Sequence, residues 1–184
     1  MNTTGNYVEA NITHFSVYGV FGDVNEVVSS PASSSSGGGS SGGGAASTVS
    51  IDQSTFSFQA NAGDTKRFSI SKDVGISGLE IDFKNAVNAQ VTIEKQDSQP
   101  SSVSSVNNVY KYLKIDAGVS DEDIKEAKIE FNVEKSWVNI NAAGQSTNVF
   151  LSRYKDNKWN RLETLTAGGD ETYQKYIAYT PGFS

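Results

Sequence analysis

The 184-residue sequence contains no cysteine, one histidine (His14), one methionine and three prolines. Without cysteine there are no disulfides, thiol nucleophiles or redox pairs, and a single histidine excludes the multi-histidine zinc sites. Oxygen-ligand cations such as calcium remain compatible with the composition. Long apolar runs are missing too, since nothing approaches the ~20 residues of a membrane-spanning helix. The opening "MNTTGNYVEANIT" lacks the basic and apolar blocks of a signal peptide. Basic residues are outnumbered 15 to 21, and the net charge of -6 disfavours nucleic acid and anionic membrane surfaces, which bind basic faces. The glycine runs lack the Lys-Ser/Thr that completes a phosphate-binding loop. No G-x-S-x-G elbow accompanies His14, which is expected at a bend, and the carboxylates are scattered over strands and turns. These absences point away from an enzyme and call for no cofactor or metal.

What is present begins with residues 29–47, "SSPASSSSGGGSSGGGAAS", which carry no side chain large enough to build a core. This stretch is expected to be a tether, spanning about 24 Å as a random coil and about 65 Å fully stretched. It divides the chain into an N-terminal strand segment, 1–28, and a domain over 48–184. Within that domain apolar residues recur with period two: Phe56 and Phe58, Phe68 and Ile70, Leu79, Ile81 and Phe83, Val91 and Ile93. The pattern returns in "KIEFNVEK", "NVFLSRY", "WNRLETL" and "YQKYIAY", with Gly, Asn and Asp clusters between as turns. Strands at this spacing predict an all-β antiparallel sandwich, Ig-like or jelly-roll-like. One short helix is expected at "VSDEDIKEA", with Ser120 as N-cap and three carboxylates in its first turn. Capping accounts for Asp121, Glu122 and Asp123 better than a calcium site does.

The run "IKEAKIEFNVEKSWVN" from Ile124, followed by "LSRY" (Leu151 to Tyr154), "KW" (Lys158-Trp159), the "GGDETY" turn and the closing "TPGFS" (Thr180 to Ser184), resembles the PGF-pre-PGF domain of archaeal cell-surface, S-layer-associated proteins. The resemblance covers roughly residues 48 to 184 and is weaker in the first half. It implies an extracellular module of envelope proteins, often behind a Gly/Ser-rich linker. In that family "TPGFS" runs on into a last apolar strand, whereas this sequence ends at Ser184. The tripartite tail that anchors many archaeal surface proteins is also lacking. Two sequons, at Asn2 and Asn11, suit N-glycosylation of an extracellular chain.

The beginning of the chain resembles the missing ending. When "ANITHFSVYGVFG" is laid on "AYTPGFS", Ala10 matches Ala178, Phe15 matches Phe183 and Ser16 matches Ser184. The sequence therefore suggests a fragment or processed product of a longer protein, and donation of its first strand to an open edge. Phe15, Val17, Tyr18, Val20 and Phe21 are the candidate donor residues, and Tyr179 and Phe183 mark the expected acceptor edge. The tether permits donation within one chain, but a chain that begins with a donor and ends one strand short favours head-to-tail donation between copies, and hence a filament. A second reading takes Trp137, Tyr154 and Trp159 as a glycan-stacking face; packing into the sandwich is the plainer role for such side chains.

Overall fold

The computed structural model describes residues 15–23 and 52–183, with the Phe15 side chain outside the description. The expectations placed on Asn2, Asn11, His14, the 29–47 tether and Ser184 lie outside the described residues. The strands are β1 (Phe15–Gly22), β2 (Gln53–Ala60), β3 (Thr65–Ser69), β4 (Gly78–Phe83), β5 (Val87–Gln96), β6 (Val109–Asp116), β7 (Ile124–Glu134), β8 (Val149–Lys155), β9 (Lys158–Arg161), β10 (Glu163–Gly169) and β11 (Tyr173–Thr180). Among the described residues one α-helix, α1, spans Lys135–Asn141. They form an all-β sandwich of two antiparallel sheets, ordered β2-β5-β6-β1-β8-β9 and β10-β11-β7-β4-β3.

The predicted period-two residues supply the core between the sheets. Leu79, Ile81 and Phe83 of β4 and Ile129, Phe131 and Val133 of β7 face Val91 and Ile93 of β5, Leu113 and Ile115 of β6, and Leu151 of β8. Of the expected turn clusters, "YKDNKW" and "AGGDE" join paired strands, whereas "ANAGD" and "KNAVN" lead from one sheet to the other and "AAGQS" follows α1. Asp156 and Asn157, both at positive φ (55° and 59°), make the two-residue turn between β8 and β9. Asp170 Oδ1 accepts from the backbone N–H groups of Thr172 (2.9 Å) and Tyr173 (2.8 Å), closing the β10–β11 hairpin. Those two donors hold its carboxyl below the usual range.

Three elements depart from the sequence reading. "VSDEDIKEA" makes only one 3-10 turn, Asp121–Asp123, with Ser120 accepting from Glu122 N–H at 3.3 Å. From Ile124 the alternating apolar residues win, and the chain is already β7. The helix lies instead at "KSWVNIN", where Val138 plugs into the core. "WNRLETL" is two strands, because Leu162 carries the chain from β9 in one sheet to β10 in the other. No helix among the described residues is long and apolar enough to cross a membrane.

Candidate functional site

β1 is the fourth of six strands in its sheet although it precedes every other described strand in sequence. It pairs antiparallel with β6 on one side (Phe15 opposite Asp116, Tyr18 opposite Leu113, Phe21 opposite Val109) and with β8 on the other (Val17 opposite Tyr154, Val20 opposite Leu151, Gly22 opposite Val149). Its neighbours are thus 88 residues away (Phe21 to Val109) to 137 residues away (Val17 to Tyr154). Both backbone edges are satisfied by strands with which β1 has no local connection.

Both faces are covered as well. Tyr18 and Val20 point into the sandwich core and are essentially inaccessible. On the other face, Phe21 stacks on Phe150 (5.7 Å, 14°) and meets the edge of Trp159 (5.1 Å). Trp159 also packs against Tyr112 (6.1 Å) and Tyr154 (5.2 Å), and its indole N–H donates to Ser104 O at 3.1 Å. Arg161 lies over the Phe150 ring at 3.9 Å, a cation–π contact at the rim. Two close approaches need glycine. A Cβ on Gly19 would sit 2.6 Å from the Phe21 ring, and one on Gly22 would overlap the Asn141 carbonyl oxygen at the end of α1.

At its beginning β1 meets the closing "TPGF". The Ser16 hydroxyl donates to Phe183 O, and the Tyr18 hydroxyl donates to Gly182 O at 3.3 Å. Gly182 O also accepts from Arg153 Nη1 (2.6 Å) and the Thr180 hydroxyl (2.8 Å). The Phe183 ring is fully buried, edge-on to Tyr18 at 6.4 Å, and its N–H donates to Asp121 Oδ1 at 2.6 Å. Asp121 Oδ2 lies 3.9 Å from Arg153 and 3.7 Å from Lys155. Burial pushes the Tyr18 hydroxyl well above its ordinary pKa, opposed in part by the charge of Arg153. The acidic residue expected to cap a helix therefore also pins the last turn of the chain. The "LSRY" and "TPGF" motifs, 29 residues apart from Arg153 to Gly182, are brought together by this node.

Of the expected donor residues, Val17, Tyr18, Val20 and Phe21 are all buried in this slot. The expected acceptor edge is corrected. β11, which holds Tyr179, is flanked by β10 and β7 in the opposite sheet, with Tyr179 opposite Glu163 and Lys128, so it presents no open edge. Phe183 does touch β1, but through its carbonyl and ring and not as a ladder partner. The strands flanking β1 are β6 and β8, and β6 is the strand that the sequence reading passed over.

The candidate glycan residues are engaged elsewhere: Trp159 and Tyr154 in the cluster over β1, and Trp137 against Tyr110 at 5.1 Å. Among the described residues no group of three or more His, Cys, Asp or Glu is placed to hold a metal ion. The fold and site together define an all-β sandwich whose six-stranded sheet is completed by a sequence-remote N-terminal strand. Comparison with family models, curated proteins and solved structures finds no match to the chain.

Proposed function

We propose that this chain is a non-catalytic structural module of an archaeal cell surface that joins copies of itself by donating β1, building a filament or surface array. The resemblance to the PGF-pre-PGF domain supports the extracellular, S-layer-associated setting, and the sequons at Asn2 and Asn11 suit it. The observation that carries the assembly reading is the placement of β1. It is hydrogen-bonded on both edges, covered on both faces, and separated in sequence from β2 by the Ser/Gly-rich stretch.

Removal of β1 would leave the sheet as β2-β5-β6 and β8-β9, with two facing open edges and a gap into the core, a state native proteins avoid. Something must occupy the slot. The distance from the end of β1 to the start of β2 is three strand spacings across and about five residues along, roughly 22 Å. Residues 24–51 number 28, and a Ser/Gly-rich chain of that length reaches about 29 Å root-mean-square. The chain's own strand therefore competes at an effective concentration near 1 mM. Dilute chains close on themselves, and dense ones at a surface exchange strands head-to-tail.

The test is unfolding and refolding of the full chain over a concentration series, with light scattering after dilution. Strand donation between copies predicts oligomers whose yield rises steeply toward the millimolar range and which persist on dilution until the chains are unfolded again. A chain that refolds only to monomer up to several millimolar would refute the reading.

A further inference from the structure

Resting on that reading, we propose that the slot between β6 and β8 selects its occupant by side-chain register. It requires a strand with tyrosine at its fourth place and glycine at its eighth, and glycine at its fifth where phenylalanine is seated at the seventh, so the partner it fits is residues 15–22 of a second copy of this chain. Ladder hydrogen bonds to β6 and β8 would welcome any extended segment, because backbone pairing is blind to sequence. The selective contacts are elsewhere.

At the fourth place the slot is a closed pocket with a polar floor. The Tyr18 ring is fully buried, and its hydroxyl reaches Gly182 O among Arg153 and Thr180. At the fifth place the demand arises within the seated strand: the Phe21 ring, held at the seventh place against Phe150 and Trp159, lies over Gly19 and would sit 2.6 Å from a Cβ there, whereas Trp159 Cη2 at 3.4 Å is an ordinary contact. At the eighth place the backbone runs against α1. A Cβ on Gly22 would overlap Asn141 O and approach the Trp137 ring at 3.0 Å, while the Gly22 N–H donates to Asn108 O at 3.1 Å.

These three demands reject slipped strands. A shift of one residue turns the tyrosine to the opposite face and brings a side chain to both glycine places. A shift of two keeps the faces but puts Ser16 or Val20 at the fourth place and Val20 or Val24 at the eighth, against Asn141 O. The chain contains eight tyrosines and 17 glycines, yet Tyr18-Gly19 is its one Tyr-Gly pair. A second copy thus offers a single segment that satisfies the slot, in a single register, which is what an orderly head-to-tail contact needs and a general aggregation edge lacks.

The experiment refolds the wild-type full chain from denaturant with fluorescent peptides of residues 12–24 carrying a solubilising lysine tail, and reads the fraction retained after gel filtration. The wild-type peptide is expected to reach half-incorporation near 1 mM, the point at which it matches the chain's own strand. Peptides with Gly19→Val, Gly22→Val or Tyr18→Leu are expected to need about tenfold more, or not to enter at all. If all three enter within about threefold of wild type, the slot does not select and this inference falls while strand donation stands. If no peptide enters, wild type included, up to about 5 mM, strand donation itself fails.

Discussion

Tyr18 offers the sharpest test of whether β1 belongs to the core. Replacing Tyr18 with Phe keeps the ring and removes one hydrogen bond to Gly182 O. At 3.3 Å that bond is long, and Arg153 and Thr180 still serve the same oxygen, so the loss falls toward the low end of about 0.5–1.5 kcal/mol. Tyr18→Ala instead empties a fully enclosed aromatic site, worth about 3–5 kcal/mol. In a domain of this size each kcal/mol lowers Tm by roughly 2–4 °C, so circular dichroism melts should drop by about 6–20 °C for Ala and by only a few degrees for Phe. pH provides a second readout. The unfolded chain releases the tyrosine proton near the ordinary value of 10.0, whereas buried Tyr18 holds it to higher pH. Stability is therefore fully present below pH 10 and lost above it, at up to about 1.4 kcal/mol per pH unit from this side chain. Tyr18→Phe should flatten that decline without abolishing it, since burial also raises Tyr176, to about 12. An alanine variant that melts like wild type, with an unchanged alkaline limb, would refute the placement of β1 in the core.

Four further outcomes rest on the same packing. Trp159→Ala removes the ring that covers Gly19, Phe21 and Tyr112 and should cost about 3 kcal/mol in chemical denaturation, while titration of wild type with envelope polysaccharide should leave tryptophan fluorescence unquenched. Arg153→Met leaves Gly182 O with two donors and takes the guanidinium from beside Asp121, at a cost of about 3 kcal/mol, whereas Asp121→Asn keeps an acceptor for the Phe183 N–H and should cost about 1 kcal/mol, both measured by urea unfolding.

The sandwich was legible because β4, β5 and β7 alternate cleanly, and β1 was visible as a bounded apolar strand. β6, "VYKYLKID", was not. Tyr112 packs outward under Trp159, but a bulge at Tyr110 breaks the alternation, and the Tyr110 side chain packs against Trp137 and the core with its hydroxyl accepting from Glu134 N–H of β7, which blurs the period-two contrast. Helix α1 was missed because its seven residues have no side-chain cap and carry Ile140 exposed. The repeat of "FS" at both ends suggested that β1 resembles a strand missing after Phe183-Ser184, and the contact between Ser16 and Phe183 was not legible in it. It could not reveal which strands flank β1, because residues 88 to 137 positions apart leave no local trace. Arg153 was likewise hidden, since nothing in "LSRY" tells an inward arginine from an outward one.

The position of β1 also sets an order of events during synthesis. The strand is made first, yet one wall of its slot, β8, begins only at Val149, 127 residues after Gly22. At ribosomal speeds of about 5–20 residues per second the strand waits roughly 6–25 s before that wall exists. Until β8 is made the edge of β1 that faces it is bare, and before β6 is made both edges are, so on the proposed reading a finished slot of a neighbouring chain could capture the strand. The same long-range pairing makes closure the slow step of folding. On the proposed reading, timing and crowding at the site of production would set the first mixture of sealed and linked molecules, which concentration then governs.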